Sequence, residues 1–302
     1  MRRNGQVAGR AAGGIAEVAF PVTPGGPPGV EVTDPAGLAA LTGRWGVAAG
    51  APLRPGFHLL VTVGSGELHC SVDLTPCTVA AGGWLWVRPG QVLTFASDPA
   101  AARGTVVLFQ PGFLDAATAG AAQVERRAWR LPLTPAEPAA GQLRATLEML
   151  EGEYRRLTDL PLEVHVEVVR HLLAVLVLRL SQLPGGVRRE RAGGEVFDRF
   201  RRAVERDFTR SHRVEDYARA LGYSVRTLTR ATDAATGCGA KRFLDDRILL
   251  EAKRLLVHSD LPSAAIGERL GFPGAALFTR FFRLRAGATP VAFRERARGT
   301  AG

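Results

Sequence analysis

Two hydrophobic rhythms divide the chain. From Phe57 to Phe109 apolar residues come in short runs broken by turn signals: residues 57–63 and 68–72 flank Gly64-Ser65-Gly66, residues 84–87 and 91–95 flank Arg88-Pro89-Gly90, and residues 105–109 follow. β-Branched and aromatic residues enrich these runs, and their connections are too short for crossover helices. The pattern predicts antiparallel hairpins closed into a small barrel or jelly roll. Past a loop around residues 132–138 the spacing turns helical, over residues 141–157 and again over 162–183. The second helix follows Pro161, and Val164, Val168, Leu172, Leu176 and Leu180 fall close to one stripe. That stripe can pack on the barrel or on its copy in a second subunit, and the apolar circumference of residues 172–178 allows both.

Residues 184–194 mix glycine with charge and read as a linker. The organisation expected is a loose tail at 1–14, a β-rich domain with a helical dimerisation segment at 15–183, the linker, and an all-α domain at 195–302. The fold class is α+β.

Within the last third the chain repeats itself at an offset of 49 to 50 residues. Leu221-Gly222-Tyr223 recurs as Leu270-Gly271-Phe272, Thr229-Arg230 as Thr279-Arg280, Gly237 as Gly287, and Phe243 as Phe293. A one-residue insertion after Phe272 accounts for the change of offset. Each copy reads as a short helix (214–221, then 263–270), a glycine suited to a left-handed turn, an aromatic plug, and a second helix (225–236, then 275–286). Ser224 is placed to cap the first of these second helices. This is the grammar of a helix-turn-helix, whose second helix fits the major groove of B-DNA. Between the copies, residues 241–259 form a charged helix with Leu244, Ile248, Ala252 and Leu255 on its inner face. At 1.5 Å per residue it spans about 28 Å. Successive major-groove openings on one face of DNA are about 34 Å apart, so this connector suits two recognition helices in adjacent grooves.

Charge sharpens that reading. The 302 residues carry a formal net charge of +10, yet residues 1–187 are neutral and residues 188–302 hold the whole excess. A localised positive field speeds encounter with a polyanion and favours counterion release on binding. All but two of the 39 basic residues are arginine, so arginine number says less than arginine placement. No run of eighteen apolar residues is present, which argues against membrane insertion, and the tail has three arginines but no apolar stretch of signal-peptide length. A cytoplasmic protein is expected. Three cysteines without a CxxC pair are expected to be reduced.

The stretch comprising Arg247, Ala252, Leu255-Leu256, Ile266–Phe272, Phe278–Arg283, Gly287–Pro290 and Phe293-Arg294 resembles the C-terminal signature of the AraC/XylS family of bacterial regulators. The likeness covers about the last hundred residues. Over residues 57–109, including Val72-Asp73 and Arg88–Val92, the chain is similar to the cupin-type sensor domain of many members. The resemblance implies contact with double-stranded promoter DNA through Ser224, Arg226, Thr227, Thr229 and Arg230 in the first unit. In the second it implies Gly274, Ala275, Ala276, Thr279, Arg280 and Arg283. It also implies a homodimer, a small-molecule effector, and RNA polymerase as a partner if the chain activates. Thr232 stands where the family has an aromatic, Ala240 where it has proline, Gly274 where it has a capping serine, and Gly267 where it has alanine. With Ala275 and Ala276 offering few donors, unit one is expected to carry more of the base discrimination. Arginine can bind guanine N7 and O6 or hold a phosphate; Arg226 is assigned to base reading, and Arg230 and Arg280 are left open.

Four residues of the β-rich domain are candidates for an effector site: His58, His69, Trp84 and Trp86. Core packing explains them equally well. The cupin metal pattern is missing, so no metal and no cofactor is expected. Cys70 and Cys77 read as small buried residues, since nothing in the sequence shows that their sulfurs meet. No phosphate loop, HExxH, GxSxG or acid pair is found, and no catalytic residue is assigned. Two alternatives stand beside the effector-controlled regulator: a ligand-independent DNA-binding protein whose barrel only dimerises, and a cupin enzyme with an accessory basic domain.

Overall fold

The computed structural model describes residues 14–21, 26–122, 132–156, 161–183 and 194–299. All but the last residue of the expected tail and all but the last residue of the expected linker lie outside these. The chain forms two compact units: of the described residues, 15–183 belong to the first, and residue 14 and residues 194–299 to the second.

The first unit is built on β1 (Ala16–Val18), β2 (Val30–Thr33), α1 (Pro35–Arg44), β3 (Leu53–Pro55), β4 (His58–Ser65), β5 (Leu68–Val72), β6 (Thr75–Val79), β7 (Trp84–Val87), β8 (Leu93–Phe95) and β9 (Arg103–Phe109). These strands make two sheets, in the orders β1-β3-β8-β5-β6 and β2-β9-β4-β7. All pairs are antiparallel except β1 with β3. The alternation of each strand assigns its faces. Leu59, Val61, Val63, Leu85, Val87, Val106 and Leu108 of the four-stranded sheet share one buried cluster with Leu53, Leu68, Cys70, Val72, Val79, Leu93 and Phe95 of the other. The space between the sheets is filled with apolar side chains, most of them aliphatic. Val30, Val32, Leu60, Trp84, Trp86, Val107 and Phe109 point the opposite way, into a second cluster under helices α3 (Ala139–Arg155) and α4 (Leu162–Ser181), with α2 (Ala116–Ala122) beside them.

The strand reading misses β1, β2, β3 and β6. β1 and β3 are only three residues long, and β6 carries Pro76 on a sheet edge, where a missing N–H is tolerated. The turn between β5 and β6 uses Asp73 and Leu74, both at positive φ (52° and 67°), the pattern of a type I′ hairpin without its usual glycine. Asp73 ties this turn down: its carboxylate accepts from the Val92 N–H and from Gln91 Nε2, each at 2.9 Å. The two sequence elements that resembled a cupin therefore meet in space.

The buried face of α4 also differs from the expected stripe. Val166, Val169, Leu173, Leu176, Val177 and Leu180 are buried, whereas Val164 is 45% exposed and Val168 and Leu172 are only partly covered. A row of strict four-residue steps rotates by about 40° per step around an α-helix, so it leaves the core-facing side within three turns. The observed face mixes steps of three and four.

The second unit is all helix: α5 (Gly194–Asp207), α6 (Val214–Leu221), α7 (Val225–Thr236), α8 (Ala240–His258), α9 (Ser263–Arg269), α10 (Ala275–Ala286) and α11 (Pro290–Gly299). The inner face expected for the connector is fully buried at Leu244, Ile248 and Ala252 and 3% exposed at Leu255.

Candidate nucleic-acid interface

In the first helix-turn-helix, α6 ends at Gly222 (φ 72°, ψ 26°), where the Tyr223 N–H bonds back to the Ala218 carbonyl at 2.9 Å. This 6→1 bond closes the helix and turns the chain sharply into α7. Ser224 caps α7, its Oγ accepting from the Thr227 N–H at 3.0 Å and meeting the Thr227 hydroxyl at 2.8 Å. The aromatic after the glycine is held from outside: the Arg199 guanidinium of α5 lies over the Tyr223 ring and donates to its hydroxyl at 3.1 Å. α7 buries Leu228 and Thr232, and the Thr232 hydroxyl donates to the Leu228 carbonyl at 2.7 Å. The departure at Thr232 is thus accommodated by satisfying its one polar group, which would otherwise be costly to bury. Arg226, Thr227 and Arg230 are exposed on α7, and Thr229 is half-buried.

The second copy repeats the turn with different support. The Phe272 N–H bonds to the Gly267 carbonyl at 2.9 Å, and Gly271 sits at φ 82°. Phe272 enters a cluster of rings with His212, Phe278 and Phe281 at centroid distances of 4.5 to 5.4 Å. α10 buries Phe278 and Phe282 completely and exposes Ala275, Ala276, Arg280 and Arg283, with Thr279 half-buried. Gly274 precedes it without any side-chain cap. At Gly267 a Cβ would come within 2.8 Å of the Phe278 Cβ, so glycine is what lets α9 approach α10 this closely.

Sequence reasoning missed the residues that fix one copy against the other. The His212 ring meets the Leu270 carbonyl at 2.7 Å through Nε2, and the Thr209 carbonyl lies where a Cβ on Gly271 would fall. Asp245 of α8 is buried and accepts from Lys241 Nζ at 2.6 Å and from Arg285 of α10. Buried Glu251 accepts from Arg247 at 3.2 Å and Arg254 at 3.0 Å, and Arg247 also reaches Glu205 of α5 and stacks on Phe208. The His212 imidazole is held below its ordinary pKa, first by burial, so the braced form is the neutral ring. The sequence signal was present in part: Arg247, Glu251 and Arg254 follow the i, i+4, i+7 spacing of one helix face.

Two sets of arginines on α7, α8 and α10 differ in their partners. Arg247, Arg254 and Arg285 are held by carboxylates. Arg226, Arg230, Arg280 and Arg283 are exposed, and among the described residues their guanidinium groups have no side-chain partner.

The effector candidates do not converge. His58, Trp84 and Trp86 lie on the helix-covered face of the four-stranded sheet; Trp86 Nε1 donates to His58 Nδ1 at 3.3 Å, and the His58 ring stacks on Phe109 at 4.5 Å. Burial, with help from Arg88, pushes the His58 pKa down to about 3. His69 is on the other sheet, exposed, beside Thr78 and Glu67. Among the described residues no three His, Cys, Asp or Glu side chains are grouped so as to hold a metal, and no helix is long and apolar enough to cross a membrane.

Residues 217–296 match the helix-turn-helix domain family. The probable transcription factor PqrA of Proteus vulgaris is 34% identical over 83 residues, 28% of this chain and 68% of that protein. The chain belongs to the AraC/XylS family. As a family member it is a transcription regulator with a helix-turn-helix DNA-binding domain. The likeness extends beyond that domain: the regulator ExsA of Pseudomonas aeruginosa is 26% identical over 246 residues, 76% of this chain and 83% of ExsA. The transcriptional activator RhaR of Enterobacter sp. is 27% identical over 193 residues, 63% of each chain.

Proposed function

We propose that this AraC/XylS regulator is a transcriptional activator that lays α7 and α10 into successive major grooves on one face of promoter DNA. The observation that carries the reading is the division of its arginines: carboxylates hold those between the helices, while Arg226, Arg230, Arg280 and Arg283 stand free on the two recognition helices. Arg226, near the capped start of α7, reads a base, as do Thr227 and Thr229 beside it; Ser224 orders that turn. α10 offers Gly274, Ala275 and Ala276 at its start, which carry no side-chain donor, so its Thr279, Arg280 and Arg283 chiefly grip phosphates. RhaR's description as an activator supports activation, with RNA polymerase as the partner.

The test is selection of bound duplexes from a random library by the purified chain, followed by the variants on the selected site. Arg226→Ala relaxes the preference at one position, costing about 1–3 kcal/mol against the best base; Arg280→Ala weakens all sequences alike and lowers the salt slope by about one. Selection that enriches no sequence over random competitor rejects the proposal.

The first unit is read as a cupin-type sensor that binds a small molecule and dimerises through α4. A second reading, in which the unit dimerises without a ligand, draws support from the apolar packing between the sheets and from the close packing of His58, Trp84 and Trp86 beneath α3 and α4. Calorimetry of the chain against a metabolite library separates them: a saturable heat supports the sensor, and silence across the library supports the second reading.

A further inference from the structure

Cys70 and Cys77 are cross-strand partners in the β5–β6 hairpin, and their sulfurs are 3.3 Å apart inside the sheet cluster. We propose that this pair is an oxidation site for peroxide, closing to an intramolecular disulfide that staples the hairpin and reopening when a dithiol reduces it.

The geometry permits closure. The carbonyl of neighbouring His69 accepts from Ala96 and Ser97, on the β8 side, so the backbone groups of Cys70 point the other way, toward β6. Pro76, the next residue along β6, has no N–H to give, in keeping with the same alternation. Cys70 and Cys77 therefore occupy a hydrogen-bonded pair, where Cα atoms are about 5.5 Å apart. Disulfides most often bridge Cα atoms about 5.5–6 Å apart, which this pair meets. They also need Cβ atoms about 3.5–4.5 Å apart, closer than the roughly 5.5 Å of a hydrogen-bonded pair, so closure needs side-chain rotation and an approach of β6 toward β5 by about an ångström. β6 is the edge of its sheet, and nothing pairs with its far side among the described residues.

The two thiols are not equivalent. Cys77 is 9% exposed and Cys70 3%. The Cys70 thiol donating to the Cys77 sulfur holds the Cys77 pKa below its ordinary value, while the same bond and burial push Cys70 up. Cys77 is thus the attacking sulfur and Cys70 the resolving one. With Cys77 only 9% exposed, a molecule the size of hydrogen peroxide is favoured as oxidant over a tripeptide disulfide.

The chemistry balances in two steps. The Cys77 thiolate attacks one peroxide oxygen; an S–O bond forms, the O–O bond breaks, and the departing hydroxide takes the proton that Cys77 released. The Cys70 sulfur then attacks the Cys77 sulfur; the S–S bond forms, the S–O bond breaks, and the second hydroxide leaves as water with the Cys70 proton. Two thiols lose two electrons and peroxide gains them.

Cys238, in the second unit, serves as an internal reference; it is half-buried beside Thr236. The fully reduced, full-length chain is treated with equimolar hydrogen peroxide or with oxidised glutathione, blocked with a maleimide, and weighed intact and as peptides. Peroxide is expected to remove two hydrogens in mass and two blockable thiols, joining the peptides that contain Cys70 and Cys77, with reversal by dithiothreitol. Cys238→Ala is expected to react like the parent, and Cys77→Ser to form no bridge. Three results overturn the proposal: both thiols still blockable when Cys238 is oxidised, sulfinic acid on Cys77 without a bridge, or bridges that always include Cys238. Closure by glutathione disulfide as fast as by peroxide overturns the assignment of the oxidant.

Discussion

Gly222 and Gly271 occupy the same turn in the two helix-turn-helix copies, yet alanine should be tolerated at one and not at the other. Both have φ in the left-handed region, at 72° and 82°. Adding a Cβ there costs about 1–2 kcal/mol at either position. Around Gly222 a Cβ would meet nothing within 4 Å, so that cost is the whole effect. At Gly271 the Cβ would lie 2.0 Å from the Thr209 carbonyl oxygen and 3.0 Å from its carbon. Backbone must move by about an ångström, and overpacking together with strain on the bond between His212 and the Leu270 carbonyl adds about 2–3 kcal/mol. Gly222→Ala should therefore cost about 1–2 kcal/mol and Gly271→Ala about 3–5. Urea unfolding followed by far-UV circular dichroism measures both. Trp45, Trp84, Trp86 and Trp129 all precede residue 188, so tryptophan fluorescence reports the first unit and should not change. With a slope of about 2 kcal/mol/M, the helical transition should move by less than about 1 M in one variant and by about 2 M in the other. Equal shifts would refute the idea that Thr209 braces the second turn.

Gly267→Ala sets helix propensity, a gain of about 1 kcal/mol, against contact with Phe278 at 2.8 Å, a loss of about 1–3. The helical transition should fall by about 1 kcal/mol, and a rise would mean that Phe278 yields freely. Ser224→Ala removes the α7 cap and should cost about 1 kcal/mol, seen as faster hydrogen exchange in residues 225–228. The first unit should lose stability in acid through His58. Its pKa is about 3 when folded and 6.5 when unfolded, so its contribution is complete above pH 6.5 and declines by about 1.4 kcal/mol per pH unit as pH falls toward 3. His58→Gln should flatten that slope in fluorescence-monitored unfolding, and parallel slopes for variant and parent would locate the acid sensitivity elsewhere.

The second unit was legible because its turns are dictated locally. Gly222, Gly271, Gly237 and Gly287 stop helices by adopting positive φ, and that requirement leaves a repeat in the sequence. Helices α6, α7 and α10 accordingly begin and end at the expected residues. The braces between the copies were not legible, since His212 and Leu270 are 58 residues apart and Asp245 and Arg285 are 40 apart. In the first unit the limit was the number of layers. β7 reads Trp84-Leu85-Trp86-Val87 and is buried on both faces, so its sequence has no polar side to show which face looks between the sheets. The tryptophans do share a face, but helices cover it. The proximity of Cys70 and Cys77 likewise depends on a turn at Asp73 and Leu74 that has no glycine to announce it.

These braces alter what the basic charge means. An excess of +10 in one third of a chain invites the view that arginines collectively bind a polyanion. Yet Arg247 and Arg254 share buried Glu251, and Arg285 and Lys241 share buried Asp245, so each is committed to holding helices together. Removing a partner from such a pair leaves a carboxylate short of compensation, a structural loss unrelated to DNA. The uncommitted arginines on α7 and α10 number four: Arg226, Arg230, Arg280 and Arg283. The connector α8, about 28 Å long, falls short of the 34 Å between grooves, so the reach of the interface depends on how rigidly its ends are held. Charge that fixes that geometry contributes to recognition without touching a phosphate, and a salt dependence scaled to net charge would overstate the contacts made.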